Sequence, residues 1–115
     1  MGLPKECELQ LENRYAKGEK NLITDVPGVR VGHVTLNDDD KDVHTGVTAV
    51  LPHSGNLFKD KVTAGVSVIN GFGKSTGLIQ VEELGTIETP IIMTNTFGVG
   101  TSLNALTKYM LERNE

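Results

Sequence analysis

Residues 46–51, Gly-Val-Thr-Ala-Val-Leu, are apolar at nearly every position and stop at Pro52. In an extended segment Val47, Ala49 and Leu51 alternate onto one face, while Thr48 and Val50 take the other. A strand without a polar face has to be covered on both sides. That suits a strand inside a domain, covered on both sides.

The flanking sequence supplies elements for such a domain. Asp25-Val26-Pro27-Gly28 reads as a tight turn, with Pro fixing φ and Gly accepting a positive φ. Residues 29–36 are rich in β-branched side chains and read as a strand, and the acidic segment 37–42 reads as a solvated loop. The cleanest period of two lies at 61–70, where Val62, Ala64, Val66 and Val68 face one way and Thr63, Gly65, Ser67 and Ile69 the other; it predicts a strand. Leu78, Val81 and Leu84 recur every three residues and Gly85 offers a stop, which predicts a short helix over 78–84. Residues 90–95 form another apolar strand. A helix is expected from about Ser102, with Leu103, Leu106, Met110 and Leu111 on one stripe. Its run into Glu115 without a strong stop, Asn114 serving weakly, suggests that the fold continues in a further segment. Residues 1–21 are polar and mixed and read as an N-terminal arm; a short helix over 9–16 is open there, although Leu9, Leu11 and Ala16 make no stripe.

Composition sets limits. The chain has 115 residues with no Trp, two Tyr and three Phe, so it makes one small domain whose core is thin in large side chains. Its net charge is −4 and Asp38-Asp39-Asp40-Lys41-Asp42 is its densest charge cluster. No basic patch is present, and nucleic acid is not an expected ligand. Cys7 is the lone cysteine, which leaves neither an internal disulfide nor a thiolate cage for zinc. No apolar run reaches the length of a membrane span or a signal peptide, so no membrane is expected and the cytoplasm is the default compartment.

Several motifs weaken on inspection. Gly73-Lys74-Ser75-Thr76 resembles the end of a phosphate-binding loop, but the first Gly that loop needs falls at Val68. Gly71-Phe72-Gly73 would need a third Gly at Thr76 to bind a dinucleotide. The turn with Gly71, Gly73 and Gly77 reads instead as a packing device. Residues 94–100 join a strand to a helix; either their amides hold an anion or a developing oxyanion, or Thr101 or Ser102 caps the helix. His33, His44 and His53 lack metal-ligand spacing and read as satisfied polar or surface groups. Glu82 and Glu83, adjacent on a helix, diverge and cannot act as a pair. No catalytic residue and no metal ligand emerges from the residues themselves.

Residues 22–34, Leu-Ile-Thr-Asp-Val-Pro-Gly-Val-Arg-Val-Gly-His-Val, closely resemble the opening of the DmpA-type L-aminopeptidase/D-alanyl-esterase-amidases, relatives of the β-peptidyl aminopeptidases. Further blocks keep that family's order: 45–52, Asn70-Gly71 with Thr76-Gly77 and Glu82-Glu83, then Glu88, Pro90, Thr94-Asn95-Thr96 and Val99-Gly100. The resemblance implies an α/β (α+β) fold, a segment of a four-layer αββα sandwich, with residues 1–21 as its arm and 22–115 as the N-terminal portion of the α-chain domain. It implies a serine aminopeptidase that cleaves itself into α and β chains, the new N-terminal Ser of the β chain being the nucleophile. Such an enzyme removes N-terminal residues from small peptides, amides or esters, with no cofactor and no metal. The family's cleavage site follows a Gly and precedes that Ser, and this sequence holds no Gly-Ser pair; no catalytic residue is therefore expected in this chain. Asn70, Thr94, Asn95 and Thr96 are the substrate-pocket candidates. The expected partners are the remaining α-chain segment and the β chain, with αβ units forming a homo-oligomer. The alternative is a noncatalytic truncated paralogue acting as a subunit-interaction module.

Overall fold

A computed structural model of the chain describes residues 15–115. Among the described residues two small antiparallel sheets, two α-helices and two short 3-10 helices make up the regular structure. The larger sheet has β1 (Arg30–Asp38), β2 (Val43–Leu51) and β5 (Ile91–Met93) in the order β1-β2-β5. The smaller pairs β3 (Val62–Thr63) with β4 (Thr86–Ile87), and the helices are α1 (Leu78–Leu84) and α2 (Val99–Glu112). This is the α/β class that the resemblance implies.

The chain enters β1 through the expected turn. Val29 N donates to Val26 O at 3.2 Å across Pro27 and Gly28, and Gly28 has φ 88°, the position that a type II turn reserves for glycine. Just upstream the Asp25 carboxylate accepts from the backbone of Lys20 and Leu22. The expected helix over 9–16 falls almost wholly outside the described residues.

β1 and β2 form a long hairpin in continuous register from Arg30↔Leu51 to Asp38↔Val43. The acidic loop is shorter than its composition suggests, because Asn37 and Asp38 belong to β1. Only 39–42 turn, as a 3-10 turn closed by Asp42 at φ 52°. The Asp38 carboxylate holds that turn by accepting from Lys41 N at 3.2 Å and meeting its ammonium at 3.1 Å.

Both apolar faces of the sheet exist as expected, and the described residues close neither. Val34, Leu36 and Val47 are exposed on one face; Val31, Ile91 and Met93 are exposed on the other. Among the described residues only Val50 and Leu57 are buried hydrophobic side chains.

The strongest alternating segment does not form a strand along its length. Only Val62 and Thr63 pair with β4, and Ala64 N adds a bond to Gly85 O at 2.9 Å. Residues 65–69 find no ladder among the described residues, and Val66, Val68 and Ile69 stand in solvent, Ile69 at 96%. Alternation specifies a face, but a strand also needs a neighbour to take its backbone hydrogen bonds.

α1 has the expected bounds and ends at Gly85, φ 66°, whose N–H bonds Val81 O at 2.8 Å. α2 begins three residues earlier than expected, after Gly98, and neither Thr101 nor Ser102 caps it. Its half-buried stripe is Val99, Ser102, Leu106, Tyr109 and Met110, so Leu103 and Leu111 remain exposed. At its far end Asn114 Nδ2 donates to Met110 O at 2.8 Å, and Asn56 Nδ2 donates to Arg113 O at 3.2 Å and Asn114 Oδ1 at 2.7 Å.

Candidate functional site

The site candidates lie on two loops, one after the alternating segment and one between β5 and α2. In both, the sequence is Asn-x-Phe-Gly: Asn70-Gly71-Phe72-Gly73 and Asn95-Thr96-Phe97-Gly98. In both, the Asn side chain accepts from the backbone two residues on, at Phe72 N (3.2 Å) and at Phe97 N (3.1 Å). Asn is suited to this because its carbonyl mimics a backbone acceptor and closes the turn locally. Each turn leaves its ring in solvent, Phe72 at 95% and Phe97 at 92% exposed.

The second loop is much more firmly held. Asn95 Oδ1 also accepts from Gly98 N at 2.8 Å, and Asn95 Nδ2 donates to Thr45 Oγ1 on β2 at 2.9 Å. These bonds orient the start of α2. Thr94 packs so closely that a Cβ on Gly98 would lie 2.5 Å from its Oγ1, which explains glycine at that position despite its ordinary φ of −80°. Thr96 is exposed.

Lys74 brings the loops near each other, its ammonium lying 5.7 Å from the centre of the Phe97 ring. Asn70 itself makes no bond to residues 94–96. The Asn95–Thr45 bond sets the second loop beside a shallow depression on the hairpin, lined by His33, Thr35, Asn37, His44 and Thr45. Thr45 was not singled out by the sequence; the repeated Asn-x-Phe-Gly was the signal that the two loops are built alike.

The glycine turn is not a packing device. A Cβ on Gly71, Gly73 or Gly77 would meet nothing within 4 Å, and only Gly77 has a positive φ, 87°. Nor does a strand lead into it, as a phosphate-binding loop requires.

The histidines are occupied within the fold. His33 Nδ1 contacts Thr48 Oγ1 at 2.5 Å and Nε2 contacts Thr35 Oγ1 at 2.9 Å, with the ring lying over Gly46. His44 contacts Asn37 Oδ1, and His53 accepts from Gly55 N and donates to Asp60 O. Glu82 and Glu83 are exposed on α1. Among the described residues no His, Cys, Asp and Glu side chains cluster as metal ligands do, and no helix is long and apolar enough to cross a membrane.

The profile of peptidase family S58 matches residues 21–115. The chain belongs to peptidase family S58. It is 38% identical over 116 residues to the β-peptidyl aminopeptidase BapA of Sphingosinicella microcystinivorans, a match covering 95% of this chain and 29% of that protein. Against the BapA of Sphingosinicella xenopeptidilytica it is 39% identical over 104 residues, covering 84% of this chain and 26% of that one. Two solved structures share the fold. The PH0078 protein of Pyrococcus horikoshii OT3 superposes with a TM-score of 0.80 at 54% identity, covering 87% of this chain and 30% of that chain. A β-aminopeptidase of a Burkholderia species gives 0.76 at 47% identity, covering 84% and 28%. The chain thus spans less than a third of the length of these relatives.

Proposed function

We propose that this chain is the N-terminal α-chain segment of a self-processing serine aminopeptidase that releases N-terminal residues from small peptides, amides or esters. The observation that carries the reading is the S58 match over residues 21–115. The relatives named as β-peptidyl aminopeptidases agree with it. The nucleophilic Ser then lies on the β chain, outside these 115 residues, consistent with a sequence that holds no Gly-Ser pair.

In this reading residues 22–115 contribute one sheet and part of a pocket wall to a four-layer αββα sandwich. The exposed apolar residues on both faces of β1-β2-β5 support it, since each face needs a further layer. The β-chain Ser attacks the scissile carbonyl while its own α-amine or a neighbouring group takes the proton, giving an acyl-enzyme that water resolves. The chain's own part is positioning. Asn95 fixes the β5–α2 loop to β2, and the loops carrying Asn70 and residues 94–96 form the pocket wall that orients a small substrate. The αβ units assemble as a homo-oligomer in the cytoplasm.

The test is the covalent state of the complete enzyme. Intact mass and N-terminal sequencing are expected to show two chains, the smaller beginning with Ser; replacing that Ser by Ala is expected to leave one uncut, inactive chain. An uncut protein that hydrolyses aminoacyl amides would overturn the reading.

A further inference from the structure

The two Asn-x-Phe-Gly turns differ at one position with a chemical consequence. Asn70 is followed by Gly71, the sequence's one Asn-Gly pair, and Asn95 by Thr96. A side-chain amide is vulnerable to the backbone nitrogen of the next residue, because attack on Cγ closes a five-membered ring. The hindrance comes from the next residue's side chain, and glycine has none.

Around Asn70 nothing obstructs the ring. Residues 70–73 are exposed, and a Cβ at Gly71 would meet no atom within 4 Å. The bond from Phe72 N to Asn70 Oδ1, 3.2 Å, folds the side chain back along the peptide that follows it. Among the described hydrogen bonds none engages Gly71 N or Asn70 Nδ2. At Asn95 the same turn is protected. Thr96 is β-branched beside the attacking nitrogen, Nδ2 is held by Thr45 Oγ1 at 2.9 Å, and Oδ1 takes two N–H groups.

We propose that Asn70 is a site of spontaneous backbone modification through a succinimide, with Asn95 as its resistant counterpart. Gly71 N gives its proton to hydroxide and bonds to Asn70 Cγ; the Cγ–Nδ2 bond breaks, and the nitrogen leaves as ammonia after taking a proton from water. Water then opens the ring at either carbonyl, giving aspartate or isoaspartate. The net change is ammonia exchanged for water, with no oxidant or reductant. Aspartate puts a carboxylate four residues from Lys74. Isoaspartate lengthens the backbone by a methylene and dissolves the turn that presents Phe72, so the loop carries a clock on its own geometry. This follows from the loop alone and does not depend on the proposed activity.

The complete enzyme is purified, incubated at mildly alkaline pH, digested with trypsin and analysed by mass spectrometry with isoaspartyl methyltransferase labelling. Peptide 62–74 carries Asn70, and peptide 75–108 carries Asn95. The expected result is a mass gain and label at Asn70 accumulating several-fold faster than any change at Asn95, and slowed several-fold by Gly71→Ala, which places a methyl in open space. Equal rates at the two sites, an Asn70 that reacts in urea but not in the folded protein, or a rate unaffected by Gly71→Ala would each overturn the proposal.

Discussion

Asn70 and Asn95 occupy matching turns, yet their side chains do unequal work. Asn95 joins β5, the start of α2 and Thr45 of β2 through three hydrogen bonds, while Asn70 closes only its own loop. With a net worth near 1 kcal/mol per bond, Asn95→Ala is expected to cost the complete protein roughly 1–2 kcal/mol, measured by urea unfolding, and Asn70→Ala about 0.5 kcal/mol or less. Thr45→Val should couple to Asn95→Ala in a double-mutant cycle, whereas independent effects would contradict the link. Lys74 makes a second residue-level test. Its ammonium lies over the exposed Phe97 ring at 5.7 Å, a contact worth about 0.5 kcal/mol. Lys74→Ala should therefore shift stability by about that much, and Mg-ATP should leave the melting temperature unchanged in both forms, since a ligand of the native state must raise it. Saturable stabilisation lost in Lys74→Ala would establish a nucleotide site. These distinctions were half legible in the sequence. Asn70 and 94–96 stood out through the family resemblance, but nothing in the residue order tells that Asn95 Nδ2 reaches across fifty positions to Thr45.

At the scale of elements, local signals succeeded where the chain itself supplies the partner. The Pro27-Gly28 turn, the 78–84 helix with its Gly85 stop, and the hairpin strands all form near their expected bounds, because their hydrogen bonds close within a few residues or within one hairpin. The 61–70 segment failed for the opposite reason: its alternation is real, but only Val62 and Thr63 meet a neighbour. On α2 the sequence places Leu103 and Leu111 on the apolar stripe with Leu106 and Met110, yet the helix half-buries Val99, Ser102, Leu106, Tyr109 and Met110, since composition does not say from which side a helix is covered. One expectation unites these cases. Amides of residues 65–69 should exchange freely in the isolated chain and become protected in the complete enzyme, where a further strand takes their hydrogen bonds. Equal exchange in both would show that the segment is a loop by design.

At the scale of the whole molecule, the balance of covered and uncovered apolar surface decides what the chain can do alone. Among the described residues, two buried hydrophobic side chains, with exposed apolar residues on both sheet faces and on both helices, give little of the close-packed interior that cooperative unfolding requires. The sequence disclosed this through its lack of Trp and its strands without a polar face, and the chain spans less than a third of the relatives it matches. Residues 1–115 expressed alone should aggregate or melt without a cooperative transition, and a sharp monomeric transition by calorimetry would count against an incomplete sandwich. The central claim, that the chain is the scaffold segment of an S58 aminopeptidase whose nucleophile lies elsewhere, is tested most directly by reconstitution. Residues 1–115 are assayed on aminoacyl p-nitroanilides alone and after assembly with the remaining α-chain segment and the β chain. The account predicts no turnover from the chain alone and EDTA-insensitive turnover from the assembly; turnover by residues 1–115 on their own, or an assembled complex that hydrolyses nothing, would contradict it.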